Sequence, residues 1–239
     1  MKTCYIVAAA ELAEERLRPE EGDLVIAADA GLRHLARLGI QPDLALGDFD
    51  SLGYVPEAPS VEVCPVRKDD TDTMAALKRA HELGFRRVLI FGGLGGARFD
   101  HSLANVQSLA WADAHGMDAI LVGRGCALTA ISDGAALEFD ARCSGDFSAF
   151  CFGPEASGVC ETGLSYSSTA RCSRRTSLAV SNSFTGSAPA SPGARPAHHL
   201  LARRPGPAAA GTDKSRKAPG KVRGAALLEG LSIIRLPCR

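Results

Sequence analysis

Leu44-Ala45-Leu46-Gly47-Asp48-Phe49-Asp50-Ser51 is the stretch from which the rest of the chain can be read. A short apolar run stops at a glycine and gives way to two aspartates around a phenylalanine, the signature of a buried strand that ends in a polar turn. Three other stretches repeat this grammar. Asp29-Ala30-Gly31 follows the run Leu24–Ala28, and Lys68-Asp69-Asp70-Thr71-Asp72 follows residues 61–66. Gly92-Gly93-Leu94-Gly95-Gly96-Ala97-Arg98-Phe99-Asp100-His101 follows Arg87–Phe91. In an open α/β sheet the strand ends gather along one edge, so the four turns should share one crevice. A crevice with this many carboxylates and glycines suits Mg²⁺ and a nucleoside triphosphate.

Outward from that stretch, strands and helices alternate. Strands are expected at residues 4–10, 24–28, 44–46, 87–91 and 118–122, with an edge strand at 61–66 because Pro65 has no N–H to donate. Leu32, Leu35 and Leu38 predict a helix over 30–38, stopped by Gly39. Asp69 or Asp70 should cap a second helix over 71–83, facing inward through Ala76, Leu77, Ala80 and Leu83. A third, His101–His115, should bury Leu103, Val106, Ala110 and Ala114, with Asp100-His101 as its N-cap. The expected fold class is therefore α/β, with a mostly parallel sheet domain over residues 1–123.

Past Gly123 the period becomes two. Residues 127–131, 136–139 and 147–152 predict a smaller antiparallel β-sandwich over 124–186. Residues 187–239 form an irregular basic tail, rich in Pro, Ala, Gly, Arg and Lys, with the composition of disorder over 187–222 and a single apolar stretch at Ala225–Leu236. The formal net charge of zero conceals this division: residues 1–170 carry 14 Lys/Arg against 25 Asp/Glu, and residues 171–239 carry 13 against 2. The tail lacks aromatics for base stacking, so no specific nucleic-acid partner is expected.

None of the eight cysteines forms a Cys-x-x-Cys pair or a zinc spacing, which fits reduced thiols in a cytoplasmic protein. The apolar run near the N-terminus breaks at Glu11, too early for a signal or membrane segment. His34, His81 and His115 fall on helical patterns without evident partners.

Asp48 and Asp50, two apart, would point the same way in extended chain and repel unless a hard cation lies between them; Asp72 could add a third oxygen. Four glycines within Gly92–Gly96 let backbone N–H groups approach an anion, with Arg98 and Lys68 as candidate phosphate partners. The turn is neither a Walker P-loop nor a dinucleotide fingerprint.

The ordered set Asp29-x-Gly31, Pro42-Asp43-x-x-x-Gly47-Asp48-Phe49-Asp50-Ser51, Lys68-Asp69-x-Thr71-Asp72 and Gly92-Gly93-x-Gly95-Gly96-x-Arg98-x-Asp100-His101-x-x-x-Asn105 resembles the thiamine pyrophosphokinase family. The resemblance implies an N-terminal α/β domain, a C-terminal β-sandwich, and a homodimer with thiamine bound between subunits. It implies transfer of a pyrophosphoryl group from ATP to the thiamine hydroxyl, releasing AMP. Carried onto this sequence, it makes Asp48, Asp50 and Asp72 the Mg²⁺ set and Asp100 a fourth catalytic carboxylate, orienting the hydroxyl or a second metal. Asp29, Lys68, Gly93, Gly95, Gly96, Arg98 and Asn105 would hold the nucleotide, and Ser181-Asn182-Ser183 the thiamine. The likeness breaks between Ser167 and Ser177, resumes at Leu178–Gly186, and breaks again to the end. Reading-frame slips in a GC-rich gene or a native basic tail would each produce this, and a remnant that binds nucleotide or thiamine without turnover is the alternative function.

Overall fold

The computed structural model describes residues 2–50, 52–56, 58–65, 69–132, 135–139, 143, 145–151, 156–173, 177–184, 198–201, 221–223 and 232–238. The chain divides into two compact units, residues 1–124 and 125–239.

In the first unit six strands run parallel: β1 (Thr3–Val7), β2 (Leu24–Ala28), β3 (Leu44–Gly47), β4 (Val61–Val63), β5 (Arg87–Phe91) and β6 (Asp118–Gly123). Their spatial order is β6-β5-β1-β2-β3-β4. All five residues of β1 are buried, and so are the last four of β2 and β5, because helices cover a parallel sheet on both faces. From β1 the chain steps outward through β2 and β3 to β4, then returns to place β5 on the other flank of β1. The order therefore reverses between β1 and β5. In open sheets this reversal opens a crevice beyond the carboxyl ends of the two strands.

Short side chains pin the register. Asp43 accepts the Val25 N–H at 2.8 Å while its own N–H donates to the Val25 carbonyl at 2.9 Å. Asp23 accepts the Thr3 N–H at 2.8 Å. Asp43 thus works as a strand fastener.

Helix α1 is Gly31–Leu38, ended by Gly39 at φ 67°. Helix α2 is Asp72–Glu82, and its cap is Thr71, whose Oγ1 accepts the Met74 N–H at 3.2 Å. Neither Asp69 nor Asp70 caps it, and Asp70 pairs instead with Lys78. The buried face of α2 includes Ala76, Leu77 and Ala80 but begins at Thr73, and Leu83 lies outside the helix and exposed. Helix α3 is Phe99–Ala114, and its inward face is not the apolar one expected. Ser102, Asn105, Ser108, Leu109 and Ala112 are buried, while Leu103 is 48% exposed. The polar residues can go inside because each finds a backbone partner there. Asp100 sits in the first turn of α3, not at its cap; Arg98 holds the cap position and makes no side-chain cap bond.

The second unit contains β7 (Cys126–Ser132), β8 (Ala136–Phe139), β9 (Asp146–Phe150), β10 (Ala156–Thr162), β11 (Ser168–Ser173), β12 (Ser177–Ser183), β13 (His198–Leu201), β14 (Lys221–Arg223) and β15 (Ser232–Cys238). One row runs β12-β9-β15-β7 and the other β11-β10-β13-β8-β14. Phe139, Phe147 and Phe184 meet edge to face between the two rows, with centroids 5.3–6.0 Å apart, and are buried as the centre of a two-layer core. The pairing is mixed rather than purely antiparallel, since β15 runs parallel to both β7 and β9, and β14 parallel to β8. The expectation of disorder over 187–222 also gives way at two places: β13 pairs with β8 and β10, and β14 with β8. Composition misses these strands because the backbone of β8 and β10 offers unpaired edge groups whatever side chains arrive.

Among the described residues Cys4, Cys64, Cys126, Cys143 and Cys151 are not joined in disulfides. No helix among them is long and apolar enough to cross a membrane.

Candidate active site

Two features lie at the carboxyl edge of the first unit's sheet, and Asp29 belongs to both. The first is a cavity of about 300 Å³, near the lower end of the roughly 300–1,000 Å³ typical of small-molecule sites. It is lined by Ala8, Ala9 and Ala10 after β1, Asp29 after β2, Thr71 and Asp72 at the start of α2, and Gly92, Gly93, Gly95, Gly96 and Arg98 after β5. His101, Ser102 and Asn105 close it from α3. The cavity therefore opens where the strand order reverses.

Backbone, rather than side chains, forms much of its wall, and two glycines make this possible. A Cβ on Gly92 would lie 2.2 Å from the Ala8 carbonyl oxygen, and the residue sits at φ 64°. A Cβ on Gly31 would lie 1.9 Å from the Val7 carbonyl oxygen. No side chain fits either position without moving the main chain. Helix α3 then ties down the glycine turn: Asn105 Nδ2 donates to Gly93 O at 2.9 Å, and Ser102 Oγ accepts the Gly95 N–H at 3.1 Å. Ser108 Oγ donates in turn to the Asn105 carbonyl at 2.7 Å. Ser102 escaped sequence reasoning because an isolated serine on a helix carries no signal; its spacing from Asn105 was the available hint.

The second feature is a group of three carboxylates. Oxygens of Asp29, Asp48 and Asp50 all lie within 4.8 Å of one another. Asp48 and Asp50 do not meet through extended chain as expected. Phe49 between them is left-handed at φ 55°, its ring is buried, and the Asp50 N–H donates to Asp48 Oδ1 at 3.3 Å. Asp29 is also left-handed, at φ 46°. A non-glycine residue in this region costs about 1–2 kcal/mol, and such strain is concentrated at functional sites. Among the described residues the buried Oδ1 of Asp29 finds no hydrogen-bond donor. Asp29 and Asp48 are half-buried and Asp50 exposed; a buried oxygen without a donor, on a carboxylate grouped with two others, is an arrangement that a hard divalent cation relieves. The three residues fit such an ion.

The other expected site residues divide as follows. Asp72 is not in the three-carboxylate group; it lines the cavity beside Asp29 because Thr71 starts α2 there. Gly93, Gly95, Gly96, Arg98 and Asn105 all line the cavity. Asp100 does not, and its carboxylate is held by Arg98 at 2.9 Å from Nε and 2.6 Å from Nη2. Lys68 lies outside the described residues. In the second unit Asn182 is 1% exposed and its amide is engaged by Tyr166: Oδ1 accepts the Tyr166 N–H at 2.9 Å and Nδ2 donates to the Tyr166 carbonyl at 2.8 Å. Ser183 Oγ lies 2.8 Å from Ser165 Oγ, and the Tyr166 ring held beside it is 70% exposed. Ser181 belongs to β12, but its side chain is not described.

The fork from Arg98 holds the Asp100 carboxyl well below the usual carboxylate range, from 3.8 to about 2. A depressed carboxylate pKa means that the pair's contribution is present above pH 3.8 and lost as pH falls through about 2. In a carboxyl NMR titration Asp100 should reach its midpoint near 2, and Arg98→Ala should return it toward 3.8. A wild-type midpoint already near 3.8 would mean that the pair is open in solution.

Residues 18–121 match the family described as thiamin pyrophosphokinase, catalytic domain. The curated thiamine pyrophosphokinase of Bacillus subtilis (strain 168) is 38% identical over 121 residues, 46% of this chain and 55% of the relative. By that alignment the chain spans about half the length of the curated relative it matches. The crystal structure of thiamine pyrophosphokinase from Bacillus subtilis is similar with a TM-score of 0.70 and 26% identity, covering 85% of this chain and 95% of that one. Thiamin pyrophosphokinase from Geobacillus thermodenitrificans is similar with a TM-score of 0.65 and 24% identity, covering 84% and 93%. The Candida albicans thiamin pyrophosphokinase reaches a TM-score of 0.63 at 10% identity, covering 84% and 85%. These last two likenesses concern the fold.

Proposed function

We propose that the chain, whose residues 18–121 match the thiamin pyrophosphokinase catalytic-domain family, transfers a pyrophosphoryl group from ATP to the hydroxyl of thiamine, yielding thiamine diphosphate and AMP. The observation that supports this most is Asp29, which lines the glycine-walled cavity and also belongs to the three-carboxylate group. A polyphosphate bound against the glycine turn would lie beside a cation held by Asp29, Asp48 and Asp50.

Transfer of this kind asks the protein for positioning and charge stabilisation more than for covalent chemistry. The backbone of Gly92–Gly96, kept in place by Ser102 and Asn105, would receive the phosphates. Asp29, Asp48 and Asp50 would hold Mg²⁺, with Asp72 able to reach the same cargo from the cavity wall. Bound there, Mg²⁺ would neutralise charge on the phosphate oxygens and orient them. Arg98 is occupied by Asp100 while the site is free. A phosphate would compete for its donors, releasing Asp100 toward the attacking hydroxyl, so ATP should raise the Asp100 titration midpoint. The second unit would receive the thiamine near Ser181, Asn182 and Ser183, with Asn182 acting through the turn it holds. A second copy would complete the assembly as a homodimer.

The test is a single assay with purified protein, thiamine, ATP and Mg²⁺. Thiamine diphosphate and AMP should appear in equal amounts. ADP as the nucleotide product would defeat the proposal. ATP binding with product at background would turn the reading to the non-catalytic remnant.

A further inference from the structure

We infer that His34, on α1, is a positioning residue for the nucleotide site. This rests on the proposed function and goes beyond it. The imidazole is not the partnerless side chain its sequence context suggested. Its Nε2 lies 2.8 Å from the Ala10 carbonyl oxygen and 3.3 Å from that of Ala9. Both acceptors are carbonyls, so Nε2 carries the proton and donates.

The segment it holds is one wall of the cavity. Ala8, Ala9 and Ala10 all line it, and the segment packs directly on the glycine turn. The Ala10 N–H donates to Gly92 O at 2.8 Å, the Ala8 N–H to Phe91 O at 2.8 Å, and Gly92 abuts the Ala8 carbonyl. Three consecutive alanines have no side-chain polar atoms with which to anchor themselves. His34 reaches the carbonyls of this segment from α1. The same helix begins at Gly31, wedged against the Val7 carbonyl and two residues beyond Asp29. One imidazole therefore links the Ala8–Ala10 wall, and through it the glycine turn, to the helix that starts at the carboxylate group. Its removal should loosen the phosphate-facing wall while leaving the buried sheet intact.

The experiment is calorimetric titration of ATP with Mg²⁺ into the full chain, with no turnover required. One hydrogen bond of this kind is worth about fivefold in an equilibrium, so His34→Ala should weaken ATP binding by about that factor. His34→Gln, whose amide can donate to the same carbonyls, should recover most of it. His34→Phe, which keeps the ring and lacks the donor, should bind like His34→Ala and serves if the alanine variant does not fold. Where turnover is measured, KM for ATP should rise while kcat and KM for thiamine hold. Wild-type protein that binds no ATP would defeat the nucleotide reading and this inference with it. Wild-type binding that His34→Ala and His34→Phe leave unchanged would overturn the role of His34 alone. A Gln variant as weak as Ala would overturn the hydrogen bond as the cause.

Discussion

Asp48→Asn should cut the proposed formation of thiamine diphosphate by about 10²–10³-fold while the protein remains folded, the scale on which loss of one preorganised electrostatic element is felt. Asp48 lies outside every strand and helix, and among the described residues it meets Asp29 and Asp50 and accepts the Asp50 N–H. In the metal-free protein, three carboxylates with oxygens within 4.8 Å repel one another. Neutralising one should leave the melting temperature unchanged or raise it. Adding Mg²⁺ should then separate the two proteins. A ligand at one hundred times its dissociation constant stabilises the folded state by about 2.7 kcal/mol, and wild type should show such a gain. Asp48→Asn should lose most of it. If the variant kept the wild-type response to Mg²⁺, the cation would have to bind elsewhere.

Gly92→Ala should cost at least about 4 kcal/mol of stability, because its Cβ would lie 2.2 Å from one main-chain oxygen and 2.9 Å from the adjoining carbonyl carbon. Relief requires moving β1 or β5 at the sheet's centre, since the colliding atoms are backbone. Its φ of 64° adds a second penalty. Gly39→Ala is the internal control. It shares the left-handed conformation, at φ 67°, yet nothing lies within 4 Å of its would-be Cβ. There the loss should be only the backbone term of about 1–2 kcal/mol. Urea denaturation of both variants measures the comparison. Equal losses at the two sites would mean that close approach at Gly92 is not what the structure makes it.

The strands of the first unit were legible because a parallel sheet buried on both faces writes itself as uninterrupted apolar runs. Leu24–Ala28 and Arg87–Phe91 begin and end where the sequence placed them. Helix α3 was misread on its inward face. Apolar periodicity favoured Leu103 and its neighbours, yet Ser102 and Asn105 turn inward to bond the glycine turn, and no pattern within one helix encodes a partner on another element. Thr71 displaced two aspartates as the cap of α2 for a related reason: all three residue types cap well, and only the path of the chain chooses between them.

Taken alone, the order of residues determined which segments of the first unit are strands, where each polar turn falls, and the chemical character of those turns: carboxylates after one run, glycines after another. Which turns meet was decided in three dimensions. Placing β5 beside β1, on the flank away from β2, brought the Ala8–Ala10 segment against the glycine turn and opened the crevice there. Left-handed backbone at Asp29 and Phe49 drew Asp29, rather than Asp72, to Asp48 and Asp50. Strand order and local backbone sign depend on packing between segments distant in the chain, and that packing energy has no residue-by-residue imprint.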